Sequence, residues 1–218
     1  MKKALIFGAT GLIGSHLLEL LLANPDYSQV IAVVRKPLQI NNPKLKVLIG
    51  DLKTLPDIKS ELIADDVFIA LGTTKKNTPD EHEYYQVDHD YPVEAAYIAR
   101  ENGAKCVNFV SAVGADVNSS IFYTRTKGEA ERDIIALGYP HTEIFQPSML
   151  MGNRKEHRPM EKIFMRVWPK LNPLLGGHWK RYRGIDVRDV AKAMIRAAKN
   201  PTDKVKIYRW QEMKDLVQ

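Results

Sequence analysis

The sequence predicts an α/β fold in which helices cover both faces of a doubly wound parallel sheet of about seven strands. Short apolar runs alternate along the chain with longer amphipathic stretches. Several of these runs, such as Val30–Val34, are continuous and rich in β-branched residues, which is typical of strands buried on both faces. The first run is followed directly by a glycine-rich turn and a helical pattern. Because such alternation requires right-handed crossovers, we expect a parallel sheet.

The elements follow from these patterns in chain order. A helical region from Asp80 to Asn102 ends at Gly103, a natural stop signal. Inside it, Pro92 either kinks the helix or lies in a first turn that Asp90 caps. Further helices are predicted at Leu12–Ala23, Ser120–Leu137 and Val187–Lys199. The seven strands are predicted at Leu5–Phe7, Val30–Val34, Val47–Ile49, Val67–Leu71, Cys106–Val110, Thr142–Phe145 and Val205–Tyr208.

The composition is that of a globular protein, and we expect residues 1–218 to form a single domain. Hydrophobic residues make up 44% of the chain and charged residues 27%. The longest uncharged apolar stretch is far shorter than the roughly 20 residues that a spanning helix needs, so no membrane span is expected. Cys106 is the single cysteine, which excludes an internal disulfide framework and favours a cytoplasmic location. The six histidines lack metal-ligand spacing, so no metal site is predicted.

The positive charge is concentrated in one segment. The chain carries a net charge of +6. Residues 151–183 contain nine basic and two acidic residues, so the rest of the chain is almost neutral. A nucleic-acid-binding surface is expected to extend further and to interleave aromatic residues for base stacking, so no nucleic-acid partner is predicted.

A glycine-rich turn joins the first strand to the first helix. Gly8, Gly11 and Gly14 are spaced as G-x-x-G-x-x-G. The first glycine allows a tight exit from the strand, the second lets the backbone approach a pyrophosphate, and the third lets the helix pack on the sheet. The amides and positive dipole end of that helix then face the phosphates. The alternative is a turn without a ligand, but the strand–turn–helix context favours dinucleotide binding in a Rossmann fold. The predicted contact residues are Gly8, Thr10, Gly11, Leu12, Ile13 and Gly14.

The end of the second strand indicates which dinucleotide is bound. Arg35 and Lys36 follow Val34 where an NAD-specific site usually has a carboxylate for the ribose hydroxyls. A guanidinium suits bidentate contact with a 2′-phosphate. The sequence therefore predicts NADP(H) in preference to NAD(H), the alternative being that Arg35 is an ordinary solvated arginine.

Three polar side chains follow the fifth strand in a pattern typical of proton transfer. Tyr123 and Lys127 lie four residues apart on one helix, and Ser111 ends the preceding strand. A free tyrosine titrates near pH 10, and a nearby lysine and an oxidised nicotinamide would both lower that pKa. The serine hydroxyl is then placed to hold the substrate oxygen beside the phenol.

With these residues the chain resembles the short-chain dehydrogenase/reductase superfamily over nearly its whole length. The resemblance implies about seven parallel strands in the order 3-2-1-4-5-6-7. It also implies that Tyr123 donates or accepts a proton, that Lys127 binds ribose and modulates the pKa of the tyrosine, and that Ser111 orients the substrate. Further cofactor contacts implied by position are Asp51 and Leu52 at the adenine, Leu71, Gly72 and Thr73 along the adenosine and ribose, and Pro147 beside the nicotinamide.

Several stretches resemble the Tat-interacting-protein-like atypical members of this superfamily. They include Leu71–Thr74, Gln86–Tyr91 and Ser111–Asp116. Asp88 stands where many extended members have an asparagine tied to a proton relay, and Gln146 stands where an arginine is common. Neither that relay nor a ligand of the loop after the sixth strand is therefore inferred from the resemblance.

The basic segment at residues 151–183 follows the sixth strand, where members of the superfamily place substrate-binding elements. Two interpretations of this segment stay open: a solvated basic surface helix with an apolar inner face, or a substrate-side insertion or lid whose cations select an anionic substrate.

The chain as a whole is predicted to be an NADP(H)-dependent oxidoreductase acting on a small carbonyl or alcohol, and is compatible with a homodimer. Two alternatives stay open: a non-catalytic NADP(H)-binding regulatory or sensor protein, and a nucleotide-sugar epimerase or dehydratase, which the short chain disfavours.

Overall fold

The structure is a computed structural model that describes residues 1–152 and 177–218. Its strands are β1 (Lys2–Phe7), β2 (Tyr27–Val34), β3 (Leu45–Ile49), β4 (Asp66–Ile69), β5 (Cys106–Val110), β6 (His141–Phe145), β7 (Leu150–Met151), β8 (Ile185–Asp186) and β9 (Val205–Tyr208). Its helices are α1 (Leu12–Ala23), α2 (Leu55–Ile58), α3 (Glu81–Tyr85), α4 (Tyr91–Glu101), α5 (Phe122–Ala136), α6 (Val187–Lys199) and α7 (Trp210–Val217), with a π-helical turn at Gln86–Asp90 and 3-10 turns at Lys59–Glu61 and Gly177–Tyr182.

Seven strands form one parallel sheet in the order β3-β2-β1-β4-β5-β6-β9. The chain first adds β2 and β3 on one side of β1, and then crosses to add the remaining strands on the other side. In open α/β sheets this reversal leaves a crevice at the carboxyl ends of the two strands beside it, here β1 and β4, where ligands bind. The predicted doubly wound α/β fold is confirmed, and so is the predicted strand order.

Two apolar clusters hold the helices on the sheet. Leu17 of α1 belongs to the cluster on one face, which α6 also covers, whereas Ala95 of α4 belongs to the cluster on the other face. Adjacent residues of β1, Ile6 and Leu5, divide between the two clusters, as the two-residue period of a strand requires. Both are fully buried, so the central strand is covered on both sides.

The helical region predicted from Asp80 is present but divided into three parts. Asp80 is the N-cap of α3, and its carboxylate accepts a backbone hydrogen bond of the first turn at 2.9 Å. A π-helical turn follows, and α4 then begins with Pro92 in its first turn, where a missing N–H is tolerated. The predicted cap by Asp90 is wrong because the chain is already helical there. The Asp90 carboxylate instead contacts His89 Nδ1 at 2.8 Å.

The last part of the chain matches the predicted bounds of α6 and β9. Asp186 caps α6 by accepting a backbone hydrogen bond from Arg188 at 2.8 Å. A short parallel sheet of β7 and β8 lies beside the main sheet and was not predicted, nor were α2 and α7. The predicted lid at 151–183 falls for the most part outside the described residues. Among the described helices, none is both long and apolar enough to cross a membrane.

Candidate active site

The turn between β1 and α1 is packed so closely that side chains are excluded at both of its ends. Gly8 has a φ of +83°, and a Cβ there would overlap the backbone carbonyl of Ala70. A Cβ on Gly14 would overlap the carbonyl oxygen of Gly8 itself. At Gly11 the fit is looser, because a Cβ would lie 3.2 Å from that same oxygen. Because these glycines carry no side chains, the backbone of the turn can face the crevice at the carboxyl edge of the sheet directly.

The first turn of α1 is suited to hold an anion. Gly11 is its N-cap, and no side chain of the described residues caps the helix there. The first turn holds no acidic residue, and both Thr10 and Gly11 are exposed. Leu12 is half-buried, and the side chain of Ile13 packs in the core. The uncapped amides and the helix dipole thus remain available to a phosphate group.

The residues predicted to surround the adenosine follow the carboxyl ends of β2 and β3. Arg35 and Lys36 follow β2 directly, and both are exposed. Asp51 follows β3, but one of its carboxylate oxygens accepts hydrogen bonds from the backbone amides of Lys53 and Thr54, at 3.0 and 3.2 Å. Leu52 packs on the apolar cluster of its face of the sheet. Arg35 and Lys36 are therefore accessible to solvent or to a ligand, whereas the Asp51 carboxylate already accepts hydrogen bonds within its own turn.

The loop after β4 contacts the helix that carries the predicted catalytic residues. The Leu71 carbonyl accepts a hydrogen bond from Lys127 Nζ at 3.4 Å, and the Thr73 amide donates one to Asp88 Oδ2 at 2.8 Å. A Cβ on Gly72 would lie 3.4 Å from the Asp88 carboxylate and 3.8 Å from Lys127 Nζ. Residues 71–73 thus line the same part of the sheet edge as the lysine.

Lys127 forms a buried ion pair. Its Nζ lies 2.9 Å from Asp88 Oδ1, and the two side chains are only 3% and 1% exposed. Asp88 belongs to the π-helical turn, a distortion that is frequent at functional sites. The Lys127 ammonium also lies 5.2 Å from the centre of the Phe109 ring. The lysine charge is therefore held in place and balanced by a carboxylate.

Tyr123 lies one turn before Lys127 on α5, and its side chain is 40% exposed. Desolvation of the phenol, followed by the negative charge of Asp88, raises the pKa of Tyr123 to about 12. This direction is opposite to the lowering predicted from Lys127 and an oxidised nicotinamide, because desolvation of the phenol and the negative charge of Asp88 both favour the protonated form. At neutral pH the phenol is thus a proton donor.

Ser111 is held by a carboxyl group on α5. Its hydroxyl and Glu131 Oε1 share a hydrogen bond, and Gln146 Nε2 donates to both oxygens of Glu131, at 2.9 and 3.1 Å. All three side chains are at least nine-tenths buried. Burial raises the pKa of Glu131 above its ordinary value, although the hydrogen bonds from Ser111 and Gln146 act in the opposite direction.

Pro147 connects two of the loops at this edge of the sheet. It follows β6 and is buried, and its carbonyl accepts a hydrogen bond from the Val113 amide at 3.0 Å. The loop predicted to lie beside the nicotinamide is therefore attached to the loop that carries Ser111.

Helix α5 brings the predicted catalytic residues together with one residue that the sequence did not single out. Tyr123, Lys127 and Glu131 follow one another at four-residue spacing, which places them along one helix face. The four-residue spacing from Lys127 to Glu131 could have indicated Glu131 from the sequence. In the described part of the chain, no group of three histidine, cysteine or acidic side chains could hold a metal ion.

A family model described as NAD(P)H-binding matches residues 8–201 of the chain. The chain belongs to this NAD(P)H-binding family. The match begins at Gly8, the first glycine of the turn, and ends at residue 201, shortly after α6. It therefore includes every predicted site residue.

Two curated relatives of this NAD(P)H-binding protein come from fungi. The mitochondrial protein FMP52 of Candida albicans is 33% identical over 87% of this chain and 85% of its own length. The mitochondrial protein of the same name from Emericella nidulans is 32% identical over 90% and 87%. These names contradict the cytoplasmic location predicted from the sequence, and we correct that prediction: the relatives are proteins of the mitochondrion.

Solved structures share the fold of this NAD(P)H-binding protein at low sequence identity. MoeE5 in complex with UDP-glucose and NAD aligns with a TM-score of 0.70 at 19% identity, over 97% of this chain and 79% of that chain. A UDP-glucose 4-epimerase from Thermotoga maritima, solved with UDP-glucose, aligns with a TM-score of 0.71 at 16% identity, over 98% and 81%. At this level of identity the likeness establishes the fold alone.

Proposed function

We propose that this protein is an NADP(H)-dependent oxidoreductase that interconverts a small carbonyl compound and its alcohol. The observation that carries the proposal is the convergence of two side chains of α5 on the carboxyl edge of the sheet. Lys127 contacts the loop after β4, and Glu131 contacts Ser111 at the end of β5. Tyr123 lies on the same helix face, and the glycine-rich turn opens onto the same edge.

The residues of the glycine-rich turn fit a dinucleotide. Gly8 and Gly14 leave no space for side chains, and the uncapped start of α1 offers amides to a pyrophosphate. When bound, the nicotinamide supplies or accepts the hydride. Arg35 and Lys36 would hold a 2′-phosphate, while Leu71, Gly72 and Thr73 would line the ribose and Lys127 would bind its hydroxyls.

The catalytic side chains then have distinct roles. Tyr123 is protonated at neutral pH and donates its proton to the carbonyl oxygen during reduction. Lys127 is held by Asp88, so its ammonium has a fixed position one helical turn after Tyr123. Ser111 contacts the substrate oxygen and orients the carbonyl carbon toward the cofactor.

Replacing Tyr123 with phenylalanine tests the proposal. Turnover of NADPH with a panel of carbonyl probes (benzaldehyde, isatin and pyruvate) should fall by about 10²–10⁴-fold, the usual contribution of general acid–base catalysis. Stabilisation by NADPH in a thermal-shift assay should stay as in the wild type. Tyr97→Phe is the matched control, because Tyr97 is a tyrosine of similar exposure on α4. Equal turnover in Tyr123→Phe and the wild type would contradict the role given to the phenol.

The preference for NADP(H) is tested at the end of β2. In Arg35→Glu the cation for the 2′-phosphate is replaced by a carboxylate that suits ribose hydroxyls. At a hundredfold excess over its dissociation constant, NADPH should stabilise the wild type by about 2.7 kcal/mol, and the variant should lose most of this while gaining stabilisation by NADH. Lys53→Glu, the same charge change at another exposed position, should leave the preference unchanged. If Arg35→Glu keeps the wild-type ratio, the arginine does not select the cofactor.

A second candidate function is NADP(H) sensing without turnover. It is favoured by the arrangement of the free protein, in which Lys127 is paired with Asp88 and the Ser111 hydroxyl is engaged by Glu131. Stabilisation by NADPH without turnover of any carbonyl probe in the wild type would support this candidate over the oxidoreductase.

The finer features predicted from the sequence belong to the same proposal. They are a Tat-interacting-protein-like subfamily, a single domain over residues 1–218, an anionic substrate selected by a lid at 151–183, and a homodimer. Faster turnover of pyruvate than of benzaldehyde would support the anionic substrate.

A further inference from the structure

The environment of Glu131 is unusual for a carboxyl group next to a predicted catalytic residue. It is 8% exposed, and its hydrogen-bond partners are a hydroxyl and an amide. Within residues 1–152 and 177–218, no lysine or arginine is found hydrogen-bonded to it. A carboxylate is costly to bury in such surroundings, whereas a protonated carboxyl is not.

The protonation state of Glu131 determines what Ser111 can do. A serine hydroxyl has one proton to donate and two lone pairs with which to accept. If Glu131 is ionised, it can only accept, so Ser111 must donate its single proton to Glu131 and can only accept from a substrate. If Glu131 is protonated, it can donate to Ser111 Oγ, and the serine proton becomes available to a substrate carbonyl oxygen.

We propose that Glu131 is a positioning residue that sets the direction of the Ser111 hydrogen bond: its protonated form leaves the serine proton to the substrate oxygen, and its ionised form withdraws that proton. This inference rests on the proposed function, because it assigns a role to Ser111 in that reaction. The oxygen of a ketone or aldehyde and the oxygen of the alcohol formed from it can both accept the serine proton, while the proton of the alcohol passes to or from Tyr123. Protonated Glu131 is therefore the form that supports the reaction in both directions.

Two cations act on Glu131, and a neutral amide contacts it directly. Lys127 lies one turn earlier on α5, but Asp88 pairs with it. Arg209 follows β9, and like Lys127 it favours the ionised form through its charge. Gln146, after β6, donates to both carboxyl oxygens in the place where an arginine would have fixed the ionised form. The carboxyl is therefore free to titrate between its two forms.

The wild type should accordingly show a falling pH limb in reduction. With NADPH and benzaldehyde, kcat/KM should fall as the pH rises through the titration of Glu131. Tyr123 stays protonated over the neutral range because its pKa is raised to about 12, so its ionisation does not cause this fall. With NADP⁺ and benzyl alcohol the proton acceptor is the ionised phenol, whose population grows with pH. In that direction kcat/KM should therefore rise with pH and level off above the titration of Glu131, where the loss of the protonated acid offsets that growth.

Two isosteric substitutions separate Glu131 from other causes of a pH limb. Glu131→Gln offers an amide that can donate to Ser111 while its oxygen accepts from Gln146, so it imitates the protonated acid. Reduction should remain and its falling limb should disappear, and oxidation should rise with pH without levelling off. Gln146→Glu places a second carboxyl against the first, and like charges raise the pKa of one of them, so the limb should move to higher pH. A purely structural role for Glu131 would move neither limb.

Infrared difference spectroscopy gives a readout that needs no substrate. The spectrum of the wild type minus Glu131→Gln should contain the carbonyl stretch of a protonated carboxyl, which disappears as the pH rises and shifts in Ser111→Ala. A Glu131 that stays ionised throughout the folded range, or a reduction limb that persists in Glu131→Gln, would overturn the inference. If no probe is turned over while the infrared band titrates and depends on Ser111, the proposed function fails but the hydrogen bond between the two residues is supported.

Discussion

Replacing Gly14 with alanine is expected to abolish binding of NADPH and to lower the free energy of unfolding by about 3 kcal/mol or more. The added Cβ would overlap the carbonyl oxygen of Gly8, and both groups belong to the backbone, so neither can rotate away. Either α1 must move off the sheet or the turn must open, and both movements disperse the amides that face the phosphates. Denaturant unfolding and the thermal shift with NADPH measure the two effects.

Two further variants show whether the turn or the whole fold is affected. Ser15→Ala changes the next residue, which is exposed, and should behave as the wild type in both assays. Gly11→Ala should fold, because its Cβ would lie 3.2 Å from the Gly8 oxygen and a shift of a few tenths of an ångström relieves the contact. It should nevertheless bind NADPH weakly, since the methyl group occupies the approach of the pyrophosphate. A Gly14→Ala protein with wild-type stability and binding would refute this account of the turn.

Replacing Lys127 with methionine is expected to lower the free energy of unfolding by about 3–5 kcal/mol and to abolish turnover. The loss of stability follows because Asp88, only 1% exposed, would lose the ammonium that lies 2.9 Å from it. Its remaining hydrogen bond from the Thr73 amide does not neutralise a buried negative charge. The measurement is denaturant unfolding at neutral pH.

The double variant Lys127→Met/Asp88→Asn should recover much of that stability, because it removes both charges and keeps a polar partner for the loop after β4. Lys206→Met is the matched control at a surface ion pair. Lys206 Nζ lies 3.5 Å from Asp203 and is 37% exposed, so its loss should be within about 1 kcal/mol. A Lys127→Met protein no less stable than Lys206→Met would show that the buried pair contributes nothing to folding.

Much of the fold followed from local patterns. Val187–Lys199 and Val205–Tyr208 have the predicted bounds because their apolar periods are strong and bounded by turn residues. The order of the strands did not follow from the runs themselves; it was implied by the resemblance to the short-chain dehydrogenase/reductase superfamily. The pair β7 and β8 escaped prediction because two-residue strands carry no period at all.

The candidate site was predictable to the extent that its residues follow strands or share a helix face. Ser111 and Lys127 were found in this way, and the four-residue spacing to Glu131 was present but not used. The pairing of Lys127 with Asp88 could not be deduced, because it depends on a π-helical turn far away in the sequence. The upward shift of the pKa of Tyr123 was not predicted either, because it depends first on the desolvation of the phenol and then on the charge of Asp88.

The main chain of residues 70–73 contacts both the glycine-rich turn and the Lys127–Asp88 pair. Ala70 abuts Gly8, the Leu71 carbonyl meets Lys127, and the Thr73 amide meets Asp88. An insertion or a bulkier residue within 70–73 would therefore disturb the glycine-rich turn and the Lys127–Asp88 pair at the same time. Arg35, by contrast, is exposed after the end of β2, so a substitution there can test the proposed preference for NADP(H) without disturbing the contacts of residues 70–73.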